Sequence, residues 1–131
     1  MVKEDINTQK RVILCINALL EKKARDVIIL NVKGLSNFTD YFVICSGTSD
    51  RQVRALASSI QENLKKSGIV PLGVEGGNSG VWVLMDYDDL IVHIFYEPVR
   101  EFYDLERLWS DATQMKIGED VTKLTSLNEG M

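Results

Sequence analysis

The residues of this sequence whose types could do chemistry are one histidine, His93, two cysteines, Cys15 and Cys45, and the acidic run Asp86-Tyr-Asp-Asp89. A histidine beside Ser46, Ser49 or Cys45 would make a nucleophile–base pair, which requires hydrogen-bond reach between the two. His93 sits between Val92 and Ile94 in an apolar run, and nothing in the sequence brings those nucleophiles to it, so a structural or interface histidine explains it as well. Two distant cysteines and one histidine do not complete a closed zinc set. Alternating carboxylates such as Asp86, Asp88 and Asp89 can hold the divalent ions of a nucleotidyl transferase. That chemistry also needs a further carboxylate nearby, outside this run, and a phosphate-gripping loop just upstream, whereas aspartates at the tip of a tight turn serve local hydrogen bonding. Gly76-Gly-Asn-Ser-Gly80 is followed by a strand rather than a helix, so it reads as a flexible connection and not a phosphate cradle. Ser46-Gly-Thr-Ser49 could offer N–H groups to an anion, with helix capping the simpler use.

The elements that position these residues follow from periodicity. Val12, Ile13, Ile16, Leu19 and Leu20 keep helical spacing over 7–23, with Lys22 and Lys23 in the expected last turn. Val27–Val32 and Tyr41–Cys45 are short apolar runs that predict buried strands. Ser49 and Gln52 form a capping box for a helix over 50–67 that carries Val53, Leu56, Ala57, Ile60 and Leu64 on one face, with Gly68 past its end. Strands over 69–74, 81–85 and 90–96 follow, the last two joined by a hairpin over Asp86–Asp89. Pro98 opens a final helix on which Val99, Phe102, Leu105 and Leu108 recur, and the pattern fades from Ser110. This order predicts a mixed five-stranded sheet with helices mainly on one face, a domain over 1–112 and a mobile tail over 113–131.

The composition, 45% hydrophobic and 26% charged, is that of a soluble globule, with no apolar run long enough to span a membrane. The first residues are charged where a secretory peptide needs an apolar stretch, and both cysteines lie in apolar runs, so buried free thiols in a reducing cytoplasm are expected. Charge is unevenly placed: residues 1–66 hold eleven Lys/Arg against seven Asp/Glu, and residues 67–131 hold four against twelve. An acidic half suits a basic protein better than phosphate, and no basic stripe with interleaved aromatics points to direct nucleic-acid binding. Trp82 and Leu84 share a strand face with Asp86, Tyr87 follows, and Phe102, Tyr103 and Trp109 cluster later. Aromatic rings rimmed by charge anchor protein interfaces.

Four ordered motifs sharpen this reading: Asp40-Tyr-Phe-Val-Ile-Cys-Ser-Gly-Thr-Ser-Asp-Arg-Gln-Val-Arg54 with Pro71-Leu-Gly-Val-Glu-Gly76, then Gly80-Val-Trp-Val-Leu-Met-Asp-Tyr87, Val92-His-Ile-Phe95, and Arg100-Glu-Phe-Tyr-Asp-Leu-Glu-Arg-Leu-Trp109. From about Asn7 to Ala112 the sequence closely resembles the Iojap family of ribosomal silencing factors. The resemblance implies a nucleotidyltransferase-like fold without a catalytic metal site, no enzyme activity and no cofactor. It implies binding to the large ribosomal subunit through ribosomal protein L-fourteen, which blocks joining of the small subunit and represses translation when nutrients are short. Trp82, Asp86 and Tyr87, with Tyr103, Glu106 and Trp109, are the contact residues carried over by motif position. A metal-dependent nucleotidyltransferase-like enzyme and a generic dimeric adaptor are the competing readings, and a homodimer of the free protein stays open.

Overall fold

A computed structural model describes residues 2–127, and side chains from Asn7 onward. The elements run α1 (Val2–Glu21), β1 (Arg25–Asn31), β2 (Tyr41–Gly47), α2 (Asp50–Lys65), β3 (Gly73–Glu75), β4 (Trp82–Asp86), β5 (Leu90–Tyr96), α3 (Glu97–Tyr103), α4 (Leu105–Leu108), β6 (Thr113–Ile117) and β7 (Leu124–Ser126). The strands form one sheet of seven in the order β3-β4-β5-β2-β1-β6-β7. β2 and β5 pair in parallel, since α2 and the β3–β4 hairpin intervene between them, and the other described pairings are antiparallel.

Alternation along the central strands divides the core in two. Tyr41, Val43 and Cys45 of β2, Val83 and Met85 of β4, and Leu90, Val92 and Ile94 of β5 pack under α1 and α2. The helices answer with Val12, Cys15, Ile16 and Leu19 of α1 and Val53, Leu56, Ile60 and Leu64 of α2. On the other face Leu30, Phe42, Ile44 and Phe95 meet Val99, Leu105, Trp109 and Ala112, which α3, α4 and the chain after them supply. The long helices thus share one face and two short ones cover part of the other. Both cysteines are free and buried, and burial raises both thiols, Cys45 to about 12. No helix among the described residues is long and apolar enough to cross a membrane.

The ends of the long helices show where the sequence reading was close and where it was not. Past α2, Gly68 takes φ +76, its N–H donates to the Lys65 carbonyl and that of Ile69 to Leu64, a pairing that closes the helix as the glycine predicts. α1 stops at Glu21, short of the expected end at 23, because Lys23 adopts the left-handed conformation at φ 61 and the Ala24 N–H reaches back to the Leu19 carbonyl. The expected strand over 69–74 shortens to three residues and shifts to Gly73–Glu75.

The sheet has seven strands where five are predicted, and the two extra ones come from the segment read as a tail. Thr113–Ile117 pairs with β1 through Ile29↔Met115, and Leu124–Ser126 pairs with β6. Leu124 is buried, and its N–H donates to the Gln9 side chain on α1. The boundary at 112 is therefore displaced: 113–117 and 124–126 are strands of the same sheet, and only 128–131 of the expected tail lie outside the described residues.

Candidate functional site: an aromatic face with an acidic border

The residues that the sequence singles out for catalysis are occupied structurally. Asp86 Oδ1 accepts from the Asp88 N–H at 2.8 Å, a local turn that lets Asp88 take φ 75. The Asp89 carboxylate accepts from Thr8 Oγ1 at 2.6 Å and from Arg11 Nη1 at 3.2 Å, tying the hairpin to α1. Among the described residues no three His, Cys, Asp or Glu side chains are grouped as a metal site would require. Ser49 Oγ accepts from the Gln52 N–H at 3.1 Å, and Gln52 Oε1 returns to the N–H and hydroxyl of Thr48, so the capping residues use the turn's own donors. The glycine loop is pinned closely at its two ends, while Gly77 has open space around it and residues 76–79 are exposed. A Cβ at Gly76, φ +80, would lie 2.0 Å from the Trp82 carbonyl oxygen, and one at Gly80, φ +66, 2.6 Å from that of Asp50.

His93 belongs to a different structure. On the α3/α4 side of the sheet it stands across from Leu84 on β4 and Ile44 on β2. Its Nδ1 accepts from the Trp82 indole N–H at 3.2 Å, and burial lowers its pKa to about 4. The ring is therefore neutral at pH 7, with its proton on Nε2. Ser46 Oγ is engaged by Arg100, and Cys45 faces the α1/α2 core on the other side of the sheet.

Around His93 the rings form a continuous string. Trp109 meets Phe42 edge-on at 4.9 Å, Phe42 meets His93 at 5.3 Å, and Trp82 lies 6.0 Å from His93. Tyr103 covers Trp82 at 4.8 Å and Phe102 stands against Tyr103 at 5.1 Å. The middle is closed and the ends are open: His93 is 6% exposed, whereas Tyr103 is 51%, Phe102 81% and Leu108 77% exposed. Trp82 and Trp109 are half-buried. Glu101 and Asp104 flank Phe102 and Tyr103 in the chain and line one pocket with Glu106 and Arg100, Arg107 is exposed on α4, and Asp86 ends the β4 row that begins at Trp82.

Of the six residues singled out as contacts, the structure brings Trp82, Tyr103 and Trp109 into this string and sets Asp86 at the far end of the same strand face. Glu106 lies beside it, its Oε2 accepting from Arg100 Nε at 3.2 Å. Tyr87 is corrected: it is 1% exposed and packs in the α1/α2 core, because neighbours in an extended chain point to opposite faces. Among the described residues its hydroxyl finds no partner, and burial pushes its pKa up to about 12. The residue that sequence reasoning missed is Arg100, 9% exposed behind the string; it stands in the last motif, but its backbone and hydroxyl partners lie more than fifty positions away in the chain.

Fold and face together define an α/β domain whose open feature is a surface of rings bordered by carboxylates, the composition of a protein contact. The family described as "Ribosomal silencing factor during starvation", RsfS, matches residues 5–130, beyond the expected limit at 112. The Ribosomal silencing factor RsfS of Halalkalibacterium halodurans is 38% identical over 112 residues, 86% of this chain and 96% of that one. A crystal structure of a Chromobacterium violaceum protein superposes with a TM-score of 0.76 at 41% identity, covering 78% of this chain and 85% of that one. The mouse protein named "Mitochondrial assembly of ribosomal large subunit protein 1" is 31% identical over 100 residues, 74% of this chain and 44% of its own length. The chain belongs to the RsfS family of ribosomal silencing factors, and its role is one of ribosome-associated translational regulation.

Proposed function

We propose that the protein binds the large ribosomal subunit through the basic ribosomal protein L-fourteen, with the aromatic face as the contact, and that its bulk then prevents the small subunit from joining. The observation that carries this is the open string itself: Phe102 and Tyr103 stand exposed against the half-buried Trp82, with Glu101 and Asp104 on either side of them in the chain. Exposed rings supply apolar area with little side-chain entropy to lose, and an acidic border steers a basic partner to them. Trp82, Asp86, Tyr103 and Trp109 make the contact in this reading, while Tyr87 supports it from the core. A domain of this length has a radius of gyration of about 14 Å, enough to obstruct a joining surface on which it docks.

The action is steric and cytoplasmic, lowers translation when nutrients are short, and needs neither cofactor nor catalysis. The fold is in this reading a nucleotidyltransferase-like scaffold used for binding. Co-sedimentation with isolated subunits tests it: the protein should travel with large subunits and not with small ones, and light scattering should show slower joining when it is added first. Equal binding to free large subunits and to joined ribosomes would sink the steric mechanism, since a ligand indifferent to two states cannot shift their balance. A homodimer of the free protein is compatible with this scheme if the partner displaces the second copy, and sedimentation velocity would detect it.

A further inference from the structure

Arg100 lies in the middle of α3 with its guanidinium turned toward the sheet, at the junction of four elements. Its Nη1 donates to the Asp26 carbonyl of β1 at 2.7 Å and to Ser46 Oγ at the end of β2 at 2.9 Å. Its Nε donates to Glu106 Oε2 on α4 at 3.2 Å. The Asp26 carbonyl is presented by an irregularity: the β1–β2 register shifts between Arg25 and Ile28, and Asp26 takes φ 48. Between α3 and α4 the chain turns at Asp104, φ 47, whose N–H donates to the carbonyl of Arg100 itself at 2.8 Å. Arg100 therefore holds both sides of that elbow, the near side with its backbone and the far side, through Glu106, with its side chain.

The rings of the candidate contact flank the elbow. Tyr103 precedes Asp104 and rests on Trp82, while Trp109 follows α4 and rests on Phe42. α4 is only four residues long, none of them fully buried, and Leu105 is its one side chain packed on the core beneath, so packing alone does little to fix its angle. The pair is partly buried, its side chains 10% and 33% exposed; an ion pair drawn into the protein contributes little to net stability compared with an apolar substitute, and its best-attested use is to select one arrangement among several. We propose that Arg100, with Glu106 as its counter-group, is the positioning residue that sets the angle of the α3–α4 elbow and so holds Tyr103 and Trp109 in register for the partner. This rests on the docking reading above, and moves Glu106 from a contact to a support. A lysine cannot replace the arginine, because a single ammonium lacks the planar fork that serves three acceptors lying in different directions.

The two tryptophans of the sequence, Trp82 and Trp109, both lie in the string, so intrinsic emission of the free protein reports the elbow directly. The experiment uses the full chain as wild type, Arg100→Gln, Arg100→Lys, Glu106→Gln and the double variant R100Q/E106Q, with emission, melting and affinity for isolated large subunits as readouts. The double variant keeps the protein testable, since it removes both charges and leaves neither one buried alone. Expected are cooperative melting of the double variant, red-shifted emission as Trp109 leaves Phe42, and roughly tenfold weaker binding to large subunits, with no recovery in Arg100→Lys. Native emission with unchanged affinity in the folded double variant would overturn the proposal, as would a lowered melting temperature with neither readout moved. If the wild type itself fails to bind large subunits, the docking reading falls, while the emission arm still decides whether Arg100 sets the elbow.

Discussion

The two faces of the sheet are made from the same strands yet are finished differently. On one, helices of 20 and 16 residues lie over Val43, Cys45, Met85 and Val92, which are completely buried. On the other, helices of seven and four residues, broken at a left-handed aspartate, cover Ile44 and Phe95 but leave Tyr103, Phe102 and Leu108 at the surface. Aliphatic side chains dominate the first face, while on the second a string of rings is set among aliphatic residues. Aliphatic packing under long helices stabilises without directional demand. Rings that keep an edge open stabilise less and remain available to a partner. The division lets stability and recognition be altered separately, and that separation can be tested.

The largest effect is expected in the covered face. Leu56 on α2 is completely buried in the main core, so Leu56→Ala should cost about 2–5 kcal/mol of unfolding free energy. Chemical denaturation measures the loss, and binding to large subunits per folded molecule should stay at the wild-type value. A variant that melts as expected but also binds weakly would show the two faces to be coupled.

The closed centre of the ring face should answer to pH. In the folded protein burial holds His93 near pKa 4, against about 6.5 for the exposed side chain, so the unfolded chain takes up the proton first. Stability from this group is fully present above about pH 6.5 and is lost as pH falls toward 4, which amounts to about 2 kcal/mol by pH 5. Comparing denaturation of wild type and His93→Gln at about pH 7.5 and about pH 5 isolates this part from that of the carboxylates; parallel losses in both proteins would refute it.

At the open end the effects should reverse. Tyr103 is half exposed, so Tyr103→Ala should change folding stability little while weakening binding to large subunits by about 2 kcal/mol, the loss typical of an interface anchor. Asp86→Arg should weaken association further at low salt than at high salt, since it reverses charge opposite a basic partner. Normal binding by both folded variants would put the contact elsewhere on the molecule.

What was legible in the sequence depends on how far apart the interacting residues are. The central strands, α2 with its serine cap and the glycine closure at 68 follow from local spacing and local chemistry. β6 and β7 were not legible because they carry few apolar residues: Thr113, Gln114 and Lys116 of β6 are exposed, and β6 pairs with β1, more than eighty positions earlier, while β7 only adds to β6. The ring types of the site could be read, but not their order in space. Trp82 and His93 meet because β4 and β5 pair, and Phe42 joins them because β2 pairs with β5 in parallel. Tyr87 was misread by adjacency to Asp86, although alternation along the chain argues for the opposite face.

The smallest expected effect tests whether the acidic hairpin belongs to the framework or to a metal site. A nucleoside triphosphate with magnesium or manganese should leave the melting temperature unchanged. Two of the three carboxylates that such a complex would use are already committed, Asp86 to the Asp88 N–H and Asp89 to Thr8 and Arg11, and an incoming ion would have to displace those bonds. Ligand at 100 times its dissociation constant stabilises a fold by about 2.7 kcal/mol, so a real site would be plainly visible in a thermal scan. A rise that requires the metal and disappears in Asp86→Asn would mean that the hairpin can rearrange into a catalytic geometry. The comparison of the two faces would then have to include an active site at the end of the sheet, and the steric reading would compete with an enzymatic one on equal terms. An unchanged melting temperature, together with the loss of subunit binding in Tyr103→Ala, would confine function to the ring face.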